Sequence, residues 1–346
     1  MGHLQAGGLV AFPTEGLYEV AAFGLAARAL ERLVELAGAD EPLAVLLSDP
    51  GELPDWLPGI SAVGKRLAKR GWPGPLSLLS GVGVERGLLR HLPGELHARL
   101  LRHGQLALRI PAHEAPRRIA RQLPGPLVMA PVHLAAATLD PLLHKIATGD
   151  LALDAGPCLL GQPSTIVGLE GRRWQVQRPG AFPVEDIKQL AWCQILFVCT
   201  GNTCRSPLAA ALFASMLAER LGCTSADLPA RGYVIASAGL AAYPGEEASP
   251  EAVAVARDLG CDLSGHRSRP LSMELAASSD FLFAMTASHL RYLEGLEEAG
   301  GPRPRLLSPC GEDVLDPIGG PREIYEACAR QLLGYLEEVL PELLEA

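Results

Sequence analysis

The sequence predicts two domains, of which the second is an α/β fold built on a parallel sheet. Its 346 residues, 48% of them hydrophobic, are enough for two globular cores. Each half opens with an apolar run of the kind that forms a buried strand, at residues 8–12 and 195–198. A Pro-Thr pair follows the first run and a glycine-containing loop follows the second. The two halves show no internal repeat, so the runs mark two different domains.

Strand-like and helix-like segments alternate through the second half. Pro207 suits the first turn of a helix over 208–221, and Gly222 suits its end. Such alternation is typical of a parallel sheet with helices on both faces. Beyond this helix, we predict strands over 233–238 and 280–285, and helices over 250–259 and 323–340.

Local composition predicts the boundary between the domains. Two prolines and a glycine occur within residues 178–183, and a short polar segment then leads to Trp192. We therefore expect domains over 1–184 and 194–346, joined by a linker over 185–193.

Charge and cysteine content exclude several classes of protein. The net charge of -9 is uneven: residues 1–190 hold 19 Lys and Arg against 18 Asp and Glu, and the remainder holds 11 against 21. An acidic domain does not attract nucleic acid by its overall field, so an anionic substrate needs local donors. Eight irregularly spaced cysteines indicate reduced thiols rather than a disulfide framework. No long apolar segment or signal-peptide pattern occurs, which predicts a cytoplasmic protein outside the membrane.

The segment at the second strand-to-helix junction has the composition of a phosphate-binding loop. Cys199 and Arg205 lie six positions apart, so the chain between them can wrap around a phosphoryl group with its N–H groups turned inwards. The helix N-terminus stabilises the Cys199 thiolate, which is the nucleophilic form, and Arg205 offers a planar fork for two phosphoryl oxygens. Gly201 and Asn202 tolerate positive φ. The alternative is a purely structural role, with Cys199 as a buried cysteine at the end of a strand and Arg205 as an arginine at the start of a helix. The residues expected to bind the phosphoryl group are Thr200, Gly201, Asn202, Thr203, Cys204 and Ser206.

This Cys-x5-Arg-Ser-Pro pattern after an apolar strand resembles the signature of the low-molecular-weight protein phosphatases. The resemblance extends in the expected order over 236–240, 245–252, 260–263, 266–270 and 280–286. It implies catalysis on a phosphorylated protein through a phosphocysteine intermediate, with no metal or cofactor. It also implies an acid in a late Asp-Pro pair, which protonates the leaving atom and then activates water. The implied catalytic residues are Cys199, Arg205 and Asp316.

Two positions favour phosphoarginine over phosphotyrosine as the substrate. Tyrosine-directed members usually carry an aliphatic residue four positions after the nucleophile and aromatics after Asp-Pro, whereas this chain has Thr203 and Ile318. The loop resembles the branch that acts on phosphoarginine, although Ile318 stands where that branch often has Phe. A hydroxyl in the pocket wall suits a hydrogen-bonding leaving group, and loss of the aromatics removes stacking for tyrosine. A tyrosine phosphatase is the alternative. His266 and His289 are expected to be structural or surface residues, and a supporting role in catalysis is the less favoured alternative.

Segments of the first half resemble the Sua5/YciO/YrdC family. They occur in the right order, at 12–15, 72–76, 108–113, 163–167 and 178–180. Active members of that family make threonylcarbamoyl-AMP from threonine, bicarbonate and ATP for the t6A modification of tRNA. The resemblance implies a twisted α/β sheet with a central cavity.

The first half also departs from that family at the positions that hold ATP. Active members have a Lys-x-Arg element before a Pro-Leu strand, but residues 34–63 contain no Lys or Arg, and Glu41 precedes that pair here. They have Ser-Ala-Asn after an Ala-Pro pair, where this chain has Val-His-Leu at 132–134. At roughly 1.5–3 kcal/mol for each charge-assisted bond, these losses cost several kcal/mol of ATP binding.

We therefore expect a degenerate domain that acts as a scaffold. The alternative is a bifunctional protein whose first domain still makes threonylcarbamoyl-AMP. Residual nucleotide or RNA binding is conceivable through the family's remaining polar residues, which are Thr14, Arg109, Ser164, Thr165 and Arg178.

Overall fold

A computed structural model describes residues 1–38, 41–130, 137–297 and 302–345. The chain divides into two compact units, Met1–Ala191 and Trp192–Ala346, called unit 1 and unit 2 below.

Unit 1 is a mixed sheet of ten strands that carries helices. Its strands are β1 (Leu9–Pro13), β2 (Tyr18–Phe23), β3 (Ala44–Leu46), β4 (Leu76–Ser80), β5 (Leu101–Arg102), β6 (Gln105–Arg109), β7 (Leu127–Ala130), β8 (Leu151–Ala152), β9 (Thr165–Glu170) and β10 (Arg173–Arg178). Its helices are α1 (Gly2–Gln5), α2 (Ala27–Ala37), α3 (Leu53–Trp56), α4 (Ala62–Gly71), α5 (Gly94–Leu100), α6 (Glu114–Gln122), α7 (Asp140–Leu143) and α8 (Val184–Ala191).

The strands of unit 1 lie in the order β10-β9-β4-β6-β3-β7-β2-β1-β8, and β5 pairs with β6. Parallel and antiparallel pairs are mixed: β3 runs parallel to β6, whereas β1 and β2 are antiparallel. Strands β1 to β4 and β7 are buried along their whole length, and apolar residues occupy both of their faces except at Glu19, Ser77 and Ser80. The α/β architecture implied by the sequence is confirmed.

Helix α8 occupies most of the segment that the sequence led us to treat as a linker, 185–193, and that expectation is wrong. Ile187 and Ala191 are four residues apart and therefore lie on one helical face, which is buried. Arg66 of α4 also donates from Nε to the Ala191 carbonyl oxygen at 2.9 Å. Helix α8 thus belongs to unit 1, and Trp192 and Cys193 belong to unit 2.

Unit 2 is a sheet of four parallel strands with helices on both faces, as predicted. The strands lie in the order β12-β11-β13-β14, and every neighbouring pair is parallel. They are β11 (Cys193–Cys199), β12 (Tyr233–Gly239), β13 (Phe281–Ala284) and β14 (Arg305–Leu306). The helices are α9 (Arg205–Leu221), α10 (Pro250–Asp258), α11 (Met273–Ser278), α12 (Ala287–Glu297) and α13 (Arg322–Glu345).

The central strand β11 separates the two hydrophobic layers of unit 2. Ile195, Phe197 and Cys199 alternate along one face and pack with residues of α9, α10 and α13. Leu196 and Val198 face the other layer, which α11 and α12 cover. Helix α9 starts at Arg205, three residues before the predicted helix, and it ends at Gly222 with φ 62°. Cys199 thus ends the central strand and Arg205 begins the next helix, so the loop between them lies at the carboxyl edge of the sheet.

Candidate active site

Cys199 lies at the bottom of the loop with its side chain almost fully buried, at 2% exposure. Its Sγ accepts a hydrogen bond from the Asn202 backbone N–H at 3.2 Å and lies 2.9 Å from Ser206 Oγ. The Ser206 hydroxyl also accepts from Asn202 Nδ2 at 3.0 Å, so it has one proton to give, either to Sγ or to the Ala238 carbonyl oxygen. Because donors converge on Sγ, the site suits a thiolate.

Asn202 is the internal support of the loop. It has φ 57°, whereas Gly201 does not adopt positive φ, so the left-handed residue of the loop is Asn202. Its buried side chain donates to Ser237 Oγ at 2.8 Å and accepts from the Arg269 N–H at 3.0 Å. All polar atoms of this side chain are therefore engaged within the protein, so the side chain supports the loop and is not presented to a ligand.

Strand β12 holds the first part of the loop from the side. Ala241 donates its backbone N–H to the Thr200 carbonyl oxygen at 2.9 Å. A Cβ atom on Gly239 would lie 2.5 Å from that same oxygen and 3.0 Å from the Asn202 nitrogen. A glycine is thus required where the strand passes this close to the loop.

Thr203 and Cys204 face different surroundings. Cys204 is buried, with Sγ 3.3 Å from Ser249 Oγ and 3.7 Å from the Tyr325 hydroxyl, so its side chain belongs to the packing of α10 and α13. Thr203 is half-buried, and among the described residues its hydroxyl has only a 3.7 Å contact with Cys204 Sγ. Thr203 therefore contributes a hydroxyl to the loop surface, whereas Cys204 contributes only backbone.

Arg205 and Asp316 form an ion pair at the phosphate loop. Nη2 of Arg205 lies 2.7 Å from Oδ2 of Asp316, with the arginine side chain 8% exposed and the aspartate side chain 47% exposed. The other carboxylate oxygen accepts the Ile318 backbone N–H at 3.2 Å, which closes a turn that Gly319 continues with φ 74°. Ile318 itself is 68% exposed and supplies no aromatic ring at this position. The structure thus brings together the three residues predicted to be catalytic.

Two histidines that the sequence led us to treat as structural or surface residues contact the loop. Nε2 of His266 lies 2.7 Å from the Asn202 carbonyl oxygen, and Nε2 of His289 lies 2.9 Å from Thr200 Oγ1. Burial lowers the pKa of both imidazoles, and the positive charge of Arg205 lowers that of His289 further. Sequence reasoning missed these contacts because both residues come from segments more than 60 positions away from the loop. The only signal was a histidine within each of two family-like segments.

Helix α13 adds one further thiol beneath the loop. Burial raises the pKa of Cys328 to about 12, and the Arg205 charge offsets this only in part. Cys328 is therefore a thiol that stays protonated at neutral pH.

In unit 1, the two arginines predicted to bind nucleotide are paired with carboxylates of the same unit. Arg109 is completely buried and binds Glu15 at 2.8 Å as well as Glu19. Arg178 binds Glu41 at 2.5 Å and also donates to the Ser164 carbonyl oxygen at 3.2 Å. Burial raises the pKa of Glu19, although Arg109 opposes this.

The hydroxyl residues predicted for this site also have internal partners. Thr14 donates to the Leu17 carbonyl oxygen at 2.7 Å, Thr165 donates to the Phe182 carbonyl oxygen at 2.8 Å, and Ser164 Oγ lies 3.0 Å from Ser77 Oγ. Arg109, Ser164 and Arg178 line one cavity of about 10 Å³, roughly the space of one water molecule. Thr14 and Thr165 are outside its lining. The Val-His-Leu segment at 132–134 lies outside the described residues.

Neither a group of metal-ligating side chains nor a membrane-spanning helix occurs in the part of the chain that the structure describes. Within those residues, no three His, Cys, Asp or Glu side chains are grouped to hold a metal ion. No helix in the same ranges has the length and apolar character needed to cross a membrane.

Comparison with known families assigns both units. Residues 3–180 match the Sua5/YciO/YrdC family, described as "Telomere recombination". Residues 194–346 match the family of low molecular weight phosphotyrosine protein phosphatases. A protein-arginine-phosphatase of Bacillus subtilis is 39% identical over 155 residues, which make up 43% of this chain and 93% of that protein. The chain belongs to both families.

Further relatives of this Sua5-phosphatase fusion match one unit or the other. A threonylcarbamoyl-AMP synthase of Pyrococcus abyssi is 29% identical over 199 residues, 55% of this chain and 55% of that protein. The fusion therefore spans about half the length of that relative. The crystal structure of a YwlE mutant from Bacillus subtilis is 35% identical, covers 44% of this chain and 98% of the other, and has a TM-score of 0.38.

Family membership confirms the prediction of a cysteine-dependent protein phosphatase. Unit 2 is a hydrolase whose substrates are phosphorylated proteins.

Proposed function

We propose that unit 2 hydrolyses phosphoarginine side chains in proteins. The observation that carries this proposal is the Thr203 hydroxyl, which lies on the loop without a close partner among the described residues. A guanidine leaving group has N–H groups that can donate hydrogen bonds to such a hydroxyl. The exposed Ile318 offers no ring on which a phenol could stack. Relatives from Bacillus subtilis and Geobacillus stearothermophilus that are named protein-arginine-phosphatase support the same substrate.

The first chemical step of this proposal transfers the phosphoryl group to the enzyme. The Cys199 thiolate attacks phosphorus, a P–S bond forms, and the P–N bond to the guanidine breaks. Substrate binding displaces Asp316 from Arg205, and Asp316 then takes up a proton from solvent and gives it to the departing nitrogen, so arginine leaves as a neutral guanidine that takes a proton from water. Arg205 and the backbone N–H groups of the loop stabilise the charge on the equatorial oxygens.

The second step releases phosphate and restores the enzyme. The Asp316 carboxylate takes a proton from a water molecule as the water attacks phosphorus. The P–S bond breaks, inorganic phosphate leaves, and the Cys199 thiolate and the Asp316 acid are regenerated. Ser206 is placed to stabilise the departing thiolate, because its hydroxyl lies 2.9 Å from Sγ.

Substitution of Thr203 tests the substrate assignment. Thr203→Val keeps the shape of the side chain but removes the hydroxyl, and Thr203→Ser keeps the hydroxyl. We expect Val to lower kcat/KM for a phosphoarginine peptide by about tenfold, the worth of one hydrogen bond in the transition state. Activity on a phosphotyrosine peptide should not fall, and Ser should behave like the wild type. Equal losses on both peptides would contradict the role given to this hydroxyl.

We further propose that unit 1 has lost nucleotide-dependent chemistry and serves as a scaffold. Its site holds two guanidinium groups against three carboxylates, those of Glu15, Glu19 and Glu41, so its formal charge repels a polyphosphate. If Arg109 turned to ATP, the buried carboxylates of Glu15 and Glu19 would lose their partner, at a cost of roughly 3–5 kcal/mol.

Calorimetric titration of the full chain with ATP tests the scaffold proposal. We expect no binding of ATP, alone or with threonine and bicarbonate, and no binding of tRNA. Release of pyrophosphate from ATP in the presence of threonine and bicarbonate would overturn the proposal and establish a bifunctional enzyme.

A further inference from the structure

His289 reaches the residue that follows the nucleophile. It lies in the first turn of α12, with its side chain buried and the residue 6% exposed. Its Nε2 shares a hydrogen bond with Thr200 Oγ1 at 2.9 Å. Its Nδ1 is buried and has no partner among the described residues. Within those residues, the hydrogen bonding of this imidazole is therefore directed at Thr200 alone.

Thr200 is held from two sides. The end of strand β12 and the turn that follows it fix its backbone, because Ala241 in that turn donates to its carbonyl oxygen and Gly239 packs against that oxygen. His289 fixes its hydroxyl from the opposite element, α12. Thr200 is otherwise exposed at the mouth of the site. Without the histidine, the peptide after Cys199 would be restrained on one side only.

The charges around His289 suit a neutral hydrogen-bonding group. Arg205 lies close enough to oppose a positive charge on the imidazole, whereas Asp313 and Asp316 favour one. Burial adds to the effect of Arg205, and the pKa of His289 is lowered. A neutral imidazole can orient Thr200 without adding a second cation beside the arginine that binds phosphate.

We propose that His289 is a positioning residue of the phosphatase, which orders the phosphate loop through the Thr200 hydroxyl. The inference rests on the proposed function of unit 2. Preorganised N–H donors bind a phosphoryl group better than mobile ones, because the conformational entropy of the loop is lost on folding and not on binding. The pair therefore acts on binding of the phosphoryl group, whatever the leaving group.

A double-mutant cycle tests this coupling. The variants are Thr200→Val, which removes only the hydroxyl, His289→Phe, which keeps a ring of similar size, and the double variant. We expect each single change to lower kcat/KM about threefold to tenfold and to raise the inhibition constant of inorganic phosphate by the same factor. The double variant should lose no more than either single variant, because both remove one interaction. His289→Gln, which offers an amide near the position of Nε2, should restore most of the loss.

The neighbouring residue supplies the control. Ser288 bonds to Thr286 on the same turn, and Ser288→Ala should leave phosphate binding unchanged. If Thr200→Val matches the wild type, if the two single effects multiply, or if His289→Phe lowers Tm without weakening phosphate binding, the proposal is wrong. If the wild type prefers phosphotyrosine, only the substrate assignment is wrong. Inhibition by inorganic phosphate, measured with a phosphotyrosine peptide, still reports the coupling between His289 and Thr200.

Discussion

At the scale of single residues, the ion pair between Arg205 and Asp316 decides how the site receives its substrate. The Asp316 carboxylate lies 2.7 Å from a guanidinium nitrogen of Arg205, and in the proposed mechanism a phosphoryl oxygen binds to the same guanidinium group. In that mechanism, substrate binding exchanges one anion for another at Arg205, and it releases Asp316 towards the leaving group. A half-exposed aspartate in a turn can make that movement at low cost.

Asp316→Asn should separate binding from catalysis. We expect kcat to fall about 100-fold to 10,000-fold, because the acid and base of both steps are lost. Binding of the inhibitor orthovanadate should tighten roughly twofold to fivefold, the worth of a half-exposed ion pair that no longer competes for Arg205. Equilibrium titration with vanadate and steady-state kinetics on a phosphopeptide measure the two effects.

Asp313 provides the matched control for that experiment. It is also an aspartate and lies three positions before Asp316. Its carboxylate accepts the Ala287 backbone N–H at the start of α12 at 2.7 Å and does not pair with Arg205. Asp313→Asn should change vanadate binding much less than Asp316→Asn. If both variants tightened binding equally, a general charge effect would explain the result, and the ion pair would have no special role.

At the scale of elements, the closeness of β12 to the phosphate loop limits what the sequence can tolerate. Gly239→Ala places a methyl group 2.5 Å from the Thr200 carbonyl oxygen, so either the strand or the loop must move. We expect kcat/KM to fall about 100-fold, since a displacement of about 1 Å in a catalytic loop has effects of that size. Steady-state kinetics on a phosphopeptide measures the loss.

Gly265 offers the control for this substitution. A Cβ atom there meets nothing within 4 Å, and its backbone is not in the left-handed region. Gly265→Ala should therefore keep the activity of the wild type. An active Gly239→Ala enzyme would show that the loop tolerates displacement and would contradict the packing argument.

Three strands and three helices of unit 2 were predictable because their signals are local, whereas α11, α12 and the two-residue strand β14 were missed. The spacing of Cys199 and Arg205 places both ends of the loop at a strand-to-helix junction, and an Asp-Pro pair marks Asp316. The support of the loop was not predictable in the same way. Ser237, His266 and His289 come from three distant segments, and no local pattern records which side chains the tertiary fold brings together. The helix α8 was missed because nearby prolines suggested a linker, while packing on α4 decided the outcome.

At the scale of the whole molecule, the two buried histidines should make the stability of unit 2 depend on pH. Burial lowers the pKa of His266 and His289 below the unfolded value of about 6.5. As pH falls through 6.5, the unfolded chain takes up protons on these imidazoles before the folded chain does. The free energy of unfolding of unit 2 should therefore decrease between pH 7.5 and pH 5.5 and be unaffected by these groups at higher pH.

Hydrogen exchange of the β11 amides, corrected for intrinsic rates, reports that free energy for unit 2 separately from unit 1. Replacing both histidines with Gln should flatten the dependence. A stability that rises on acidification across this range, or an unchanged slope in the double variant, would contradict the assignment.

The two units differ in how they use their charged groups. In unit 1 the arginines inherited with the fold are neutralised by carboxylates of the same unit, whereas in unit 2 the loop directs its donors at a thiolate and at an open phosphoryl site. The difference explains why one half of a fusion of two enzyme families is proposed as a scaffold and the other half carries the chemistry. The sequence already departs from the active family at Glu41, where it lacks the expected cations. Only the structure shows that the Glu41 carboxylate forms an ion pair with Arg178.

The most direct test of the central claim is the ratio of kcat/KM on two peptides that differ only in carrying phosphoarginine or phosphotyrosine. The ratio is measured with the full chain and with Cys199→Ser. The account predicts that the wild type prefers phosphoarginine clearly and that the serine variant hydrolyses neither peptide. A clear preference for phosphotyrosine, or hydrolysis that survives in Cys199→Ser, would contradict it.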